Sequence, residues 1–494
     1  MRKLVLILFL IILVNNGYSQ RRLSKRHHIV NKVLAKTIKD PDFKNAWFGF
    51  LAIDANSGKV ISSYNPDKAL RPASNQKLIS TASVLEMYGP DYQFKTKLLY
   101  TGHIDTLHKF LKGDIIIEGG GDPTLGSVYF DQTKDHRFLI QWTEAIKKLE
   151  IDSISGGVIA DAGIYSTDIV PVTWAWGNMG DYFGAGPCGL SIFDNYYTVF
   201  FNTDSIPGKP AKIIKTEPQI PYLVFDNQII SDTVLGDHSN IIGAPYCNTR
   251  YLRGRLPLNK TEYGVKGSIP DPAFFAAFEL NRVLQNNGIV ILKKPATLKM
   301  LQKERKNIST KLIYTTYSPP LSEIIKQTNI HSINLFAEHF LDHCGLKLIG
   351  KAQTGEDAKA LMKFWEEKGM DIQGLYITDG SGLSQYNAIT PRQMVYLLNY
   401  MKNKSSYFTH YFNSLPIAGR EGTVEGMFKG SAAEGNLRAK SGTIDKVKAY
   451  SGYVTSRSGR EIIFSMMVNN FSCKSKEAKA RLEKLMIALA ELKK

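Results

Sequence analysis

The sequence predicts an α+β protein of more than one domain, and three observations lead there. Alternating apolar strands with a hairpin turn between them stand near each end of the chain, beside segments of helical periodicity. The middle of the chain, from Asp152 to about Gly264, is instead rich in short strands, turns and prolines. A length of 494 residues also exceeds one ordinary domain.

In chain order, Ile29 to Ile38 has helical spacing. Trp47 to Ile53 and Lys59 to Tyr64 alternate as strands, and Asn56-Ser57-Gly58 supplies the turn between them. Leu78, Ala82 and Leu85 then recur at helical spacing until Gly89-Pro90 ends the run. Phe94 to Tyr100 and Asp114 to Glu118 predict strands. The Gly119-Gly120-Gly121-Asp122-Pro123 turn that follows lacks the Gly-Lys-Ser/Thr ending of a phosphate loop. Asp271-Pro272 gives an N-cap and first-turn proline to a helix through about Asn286, closed by Asn287-Gly288. A strand at Leu312 to Thr316 precedes Pro319-Pro320, and Thr390-Pro391 opens a later helix. Ala449 to Thr455 and Glu461 to Val468 predict a hairpin. The basic amphipathic helix Ala478 to Leu492 is expected to pack back on those strands rather than on a membrane.

Met1 to Ser19 carries Arg2-Lys3, an apolar run from Leu4 to Val14, and Gly17-Tyr18-Ser19 before Gln20. It predicts a cleavable secretory signal, hence a periplasmic or secreted product with no integral membrane segment after cleavage. Without Arg2 and Lys3 the formal charge of +17 becomes +15, which favours anionic surfaces or polymers. No nucleic-acid motif accompanies that charge. Four cysteines make no disulfide framework, although an oxidising compartment permits one or two bridges.

Several stretches carry chemistry. Ser74 and Lys77 stand three apart at a helix start, one turn from each other on one face. A serine there sits near outward backbone N–H groups, and a desolvated lysine one turn on can take its proton. Ser332 and Asn334 flank Ile333 at the mouth of another helix. His339 and His343 follow at i, i+4, but Phe340 stands where a zinc protease needs glutamate, so helix-face histidines and no metal are expected. Gly380-Ser381-Gly382 lacks the Gly-x-Ser-x-Gly elbow of the histidine-assisted hydrolases. No cofactor motif is present.

Ser74-x-x-Lys77, Ser332-x-Asn334 and Lys440-Ser441-Gly442-Thr443, in that order, resemble the signature of the serine penicillin-recognising enzymes. The long segment between the first two motifs narrows the likeness to the three-domain D-alanyl-D-alanine carboxypeptidase/endopeptidase family of low-molecular-mass penicillin-binding proteins. Gly119–Pro123, Asp271-Pro272, Asn334–Glu338, Asp379–Leu383 and Gly419-Arg420-Glu421-Gly422-Thr423 extend the likeness over nearly the whole chain after residue 19.

The resemblance implies a penicillin-binding/β-lactamase-like catalytic domain, an antiparallel sheet between helices, formed by residues 20–90 and 310–494. Residues 91–309 would be the strand-rich insert, in one or two units. It also implies roles: Ser74 attacks the penultimate D-Ala carbonyl, Lys77 accepts its proton, and Ser332 relays a proton to the leaving nitrogen, assisted by Lys440. Asn334 would hold the substrate's side-chain amide and steady Lys77. Lys440, Ser441 and Thr443 would bind the terminal carboxylate, with Gly442 allowing close approach of substrate. The N–H groups of Ser74 and Thr443 would form the oxyanion hole. Lys440 is expected to keep its charge while Lys77 loses its own.

In the aromatic loop Trp174 to Phe183, Phe183 fits the family pattern of a diaminopimelate contact, whereas Asn178 replaces the acid, leaving Asp181 or Asp445 to serve. Peptidoglycan peptides and covalently bound β-lactams are the implied partners. Expected bridges are Cys188–Cys247 and Cys344–Cys473. A β-lactamase would share the three motifs, but the second lacks the Tyr-x-Asn form and no deacylating glutamate is evident. A wall-binding protein without activity has no need of both Ser74 and Lys77.

Overall fold

The structure, a computed structural model, describes residues 28–304 and 307–493; the expected signal segment lies outside the described residues. The central sheet has five antiparallel strands in the spatial order Arg438–Ile444, Val447–Thr455, Glu461–Asn469, Trp47–Asp54 and Val60–Tyr64. The two ends of the chain therefore build one sheet, as expected. Its N-terminal hairpin turns where Asp54 accepts hydrogen bonds from the backbone and hydroxyl of Ser57, each at 2.8 Å.

Helices cover both faces, which is why the inner strands read as nearly continuous apolar runs rather than clean alternation. Leu51, Ile53, Ala449, Tyr453, Ile463 and Met467 face one core, with the helices Lys77–Tyr88, Leu321–His331, Asn334–Ile349, Thr354–Glu367 and Pro391–Asn403. Phe50, Ala52, Tyr450, Val454, Phe464 and Met466 face the other, with the helices His28–Ile38 and Ser475–Ala490. The C-terminal helix buries Leu482, Leu485, Met486 and Leu489 against that second face, so it packs on the sheet as its apolar stripe predicts.

The insert has its own apolar core, around Trp142, Tyr197, Leu252, Phe275 and Leu280. Asp271 caps the helix Pro272–Asn286 by accepting from Phe274 N–H at 2.9 Å. One boundary shifts. Lys311–Tyr317 pairs with Lys95–Tyr100 in an insert sheet, so the chain returns to the catalytic part only at Ser318-Pro319-Pro320, later than the expected residue 310. Asn334–Ile349 lies between the main core and the insert, with Leu335 through Gly345 all buried, the polar Glu338, His339, Asp342 and His343 among them.

Neither expected disulfide forms: all four cysteines are free. Cys344 belongs to the core on one face of the sheet and Cys473 to the core on the other. Cys188 is buried in the insert core while Cys247 is exposed.

Candidate active site

Ser74 lies on a tight 3-10 turn, Ala73–Gln76, that feeds the α-helix Lys77–Tyr88. Ala73 has φ +47°, a conformation costly for a residue with a Cβ, so its surroundings must hold it there. The strand Arg438–Ile444 supports it from one side. A Cβ on Gly442 would lie 2.4 Å from the Pro72 carbonyl oxygen, so the lack of a side chain here lets the Ser74 turn approach the strand. From the other side Gly382, at φ +84°, passes so near Ala73 that a Cβ would lie 1.9 Å from its carbonyl oxygen. Asn75 ties the turn to the sheet through Ser451 Oγ at 2.7 Å.

Lys77 is wholly buried. Its Nζ lies 3.0 Å from Ser74 Oγ, 2.6 Å from Asn334 Oδ1 and 2.8 Å from the Ser381 carbonyl oxygen. Burial lowers its pKa to about 7, against the opposing pull of Glu338 and Asp379. A neutral amine has two hydrogens, and the two carbonyl oxygens take them. The remaining lone pair faces the Ser74 hydroxyl, as general-base action requires.

The Ser381 carbonyl is itself held in place. Glu338 accepts the N–H groups of Gly380 and Ser381, each at 2.8 Å, and Asp379 accepts from Gly382 N, Asn387 Nδ2 and Trp174 Nε1 at 2.8, 2.7 and 2.9 Å. Burial and the neighbouring Asp379 push Glu338 up to about 8. Burial likewise raises Asp379.

Ser332 sits at φ +57° where one helix ends, and Asn334 opens the next, as their spacing predicts. Lys440 Nζ donates to Ser332 Oγ and to the Ser441 carbonyl, both at 2.9 Å. Lys440 is wholly buried, and burial together with the Lys77 charge holds its pKa well below the ordinary lysine value. Both amines are therefore depressed, where only that of Lys77 was expected to be: carboxylates oppose the depression of Lys77, whereas the charge that acts on Lys440 is that of a second lysine, Lys77.

A cavity of about 180 Å³ opens beside these groups. Ser74, Ser332, Ser441 and Thr443 line it, together with Thr423, Tyr450 and two residues the sequence did not single out, Lys448 and Lys479. Ser441 Oγ donates to Thr423 Oγ1 at 2.8 Å, and Lys448 Nζ donates to Thr443 Oγ1 at 2.9 Å. The pairing of Thr443 with Lys448 follows from the two-residue Asp445-Lys446 turn, so counting outward from that turn finds it.

The aromatic loop reaches this site through its backbone. Asn334 Nδ2 donates to the Phe183 carbonyl at 2.7 Å, which joins the insert to the amide that holds Lys77. Asp181 turns elsewhere: it pairs with Gly267, takes a backbone hydrogen bond from Ile241, and is pushed up to about 7 by burial. Neither Asp181 nor Asp445 lines the cavity. Trp174 is 5% exposed and anchors Asp379, whereas Trp176 is 54% exposed.

His339 and His343 are buried, as helix-face residues. Nδ1 of His339 and Nε2 of His343 lie 2.9 and 3.2 Å from the Gly121 carbonyl oxygen, and His339 Nε2 lies 2.9 Å from Ser191 Oγ. Burial lowers them to about 3 and 4, so neutral rings donate to one carbonyl. The glycine-rich turn is thus pinned to the helix that carries Asn334.

A half-buried serine at hydrogen-bond distance from a lysine whose pKa is lowered to about 7, beside a second Ser–Lys pair on an α+β scaffold, defines a serine acyl-transfer site. The particular family follows from comparison with known proteins. Residues 30–492 match the model of the D-Ala-D-Ala carboxypeptidase 3 (S13) family, and the chain belongs to it. Similar proteins include a D-alanyl-D-alanine carboxypeptidase DacB of Haemophilus influenzae, 25% identical over 90% of this chain and 89% of that one. A D-alanyl-D-alanine carboxypeptidase of an Actinomadura strain is 26% identical over 88% and 80%. Among solved structures, penicillin binding protein 4 (dacB) from Haemophilus influenzae superposes with TM-score 0.77 at 23% identity, covering 93% of this chain and 98% of that one. The penicillin-binding/β-lactamase-like fold expected from the motifs is thereby shown.

Proposed function

We propose that this protein is a serine D-alanyl-D-alanine carboxypeptidase/endopeptidase that cleaves peptidoglycan stem peptides or cross-links through an acyl-enzyme and is acylated by β-lactams. The observation that carries the reading is the Lys77 amine, whose two carbonyl partners leave its lone pair toward Ser74. Ser74 Oγ forms a bond to the carbonyl carbon of the penultimate D-Ala while its proton passes to Lys77 Nζ. The carbonyl oxygen gains charge, and the backbone N–H groups of Ser74 and Thr443 are the candidate donors to it. The C–N bond then breaks as the proton taken up by Lys77 passes through Ser332, bonded to Lys440, to the leaving nitrogen, which leaves Lys77 neutral again. Water then attacks the resulting ester as Lys77 takes its proton, the C–Oγ bond breaks, and Lys77 returns the proton to Ser74 Oγ, which frees the acid product and regenerates Ser74.

Asn334 is proposed to hold the substrate's side-chain amide beside Lys77, and Phe183 to border it. The family's action on cell-wall peptides supports export from the cytoplasm, in accord with residues 1–19. No helix among the described residues is long and apolar enough to cross a membrane. A fluorescent penicillin tests the reading. A stable label mapped to Ser74, with release of D-Ala from a stem peptide, is expected. Rapid clearing of the label indicates a β-lactamase, and no label at all indicates a binder without activity.

A further inference from the structure

The cavity beside Ser74 has a cationic wall that the three motifs do not explain. Lys448 is only 8% exposed, yet it lines the cavity and donates to Thr443 Oγ1 at 2.9 Å. Lys479 reaches the same cavity from the C-terminal helix, close enough that its charge, after burial, lowers the pKa of Lys448. No ion pair neutralises either lysine among the described residues. On the same helix, the carboxylates of Glu483 and Glu477 turn to backbone groups, accepting the Phe428 and Lys474 N–H respectively. Two amines that line one cavity beside Ser74, neither in an ion pair among the described residues, leave a place for an anion. Lys440, by contrast, does not line the cavity, and its amine is spent on Ser332 and the Ser441 carbonyl.

We infer that the cation receiving the substrate's free carboxylate is Lys448, backed by Lys479, while Lys440 serves the proton relay at Ser332. This inference rests on the acyl-transfer reading above. The carboxylate would meet the Ser441 and Thr443 hydroxyls and the Lys448 amine together, in the cavity they share with Ser74. Thr443 accepts from Lys448, which leaves its own proton free to donate.

The test compares acylation rate constants for benzylpenicillin and its methyl ester, and cleavage of a stem peptide ending in D-Ala-D-Ala with one ending in D-Ala-D-alaninamide. The parent is expected to favour the acids. Lys448→Met is expected to shrink that preference about tenfold while moving the ester rate little, and Lys448→Arg to keep most of it. Lys479→Gln is expected to shrink it about threefold, and added salt should do likewise. Lys440→Met should slow acid and ester alike.

An unchanged acid preference in Lys448→Met overturns the inference. So does an ester rate that falls as far as the acid rate, which would make Lys448 only a support for Thr443. A selective loss of acid preference in Lys440→Met places the anchor at Lys440 instead. If Lys448→Met does not fold, an unchanged preference in Lys479→Gln at low salt is the overturning result. A parent that acylates acid and ester equally defeats this inference alone, whereas a parent that acylates neither defeats the acyl-transfer reading as well.

Discussion

Lys77 and Lys440 are both wholly buried and both hydrogen-bonded to a serine hydroxyl, but their niches differ. Around Lys77 the loop Asp379–Gly382 and the helix Asn334–Ile349 bring two carboxylates into electrostatic range, which hold its pKa near neutrality rather than far below it. Around Lys440 burial acts first, and the Lys77 charge lowers its pKa further. A base must regain and lose a proton at working pH, and the first niche suits that. In the second, the Lys440 amine is bonded to Ser332 Oγ and the Ser441 carbonyl and lies off the cavity wall, which suits it to the proton relay.

The harshest way to break the contrast is Lys77→Met. It is expected to cut acylation by penicillin and peptide about 10³-fold, since both need an activated Ser74, measured as label formation against time. The same lysine sets the pH profile. Acylation should rise with pH through about 7 as Lys77 loses its proton. Its effect on stability has a definite sign: the unfolded chain takes that proton below the ordinary 10.5, the native state only below about 7. Between those values the unfolded state binds more protons. The Lys77 contribution to stability therefore falls as pH drops from 10.5 toward 7 and is flat below.

Glu338→Gln sharpens the comparison by making the Lys77 niche more like that of Lys440. It removes the carboxylate that most raises the Lys77 pKa, so the acidic limb of the rate profile should move to lower pH. Because Glu338 is itself pushed up to about 8, the move should be smaller than a full charge would give. The substitution also sets an amide NH2 against a backbone N–H of Gly380 or Ser381, at about 1–3 kcal/mol of stability and about tenfold in acylation rate. A limb that moves upward would refute the niche argument.

Trp174→Phe should act more mildly, through the insert. It removes the indole N–H from Asp379 and should lower stability by about 1.5–3 kcal/mol, read by denaturant midpoint. Trp176→Phe, at an exposed position, should leave the midpoint unchanged.

The parts of this site that could be read in the sequence are those fixed by local spacing. Ser74 and Lys77 share a turn, Ser332 and Asn334 bracket a helix start, and Lys440 to Thr443 alternate along one strand; each arrangement is settled within a few residues. Contacts made across the fold were less legible. Asp379 and Glu338 were visible as motif letters, but their joint control of the Ser381 carbonyl depends on a loop meeting a helix. Lys448 needed the strand register, and Trp174 could not be told from Trp176 two positions on. The cysteine pairing failed because sequence does not say which face of the sheet each segment covers. The strand at 311–317 had the right shape, but its partner in the insert was not evident from its residues.

Phe183 offers the finest test of how the insert serves the site. Sequence makes its ring a substrate contact, whereas the structure adds a role for its backbone, whose carbonyl receives the Asn334 amide that also holds Lys77. Replacing the ring leaves that carbonyl in place, so Phe183→Ala should keep penicillin acylation within about threefold of the parent. Asn334→Ala, by contrast, deletes both hydrogen bonds and frees the Lys77 amine to turn from Ser74, for an expected loss of about 10²-fold. The two variants are to be compared with penicillin and with a diaminopimelate-bearing stem peptide. Equal small losses for both substrates in Phe183→Ala mean that the backbone is what matters. A loss confined to the peptide assigns the ring to the substrate's side chain, and a loss as deep as that of Asn334→Ala means that the ring, by packing against Tyr182, fixes the loop itself.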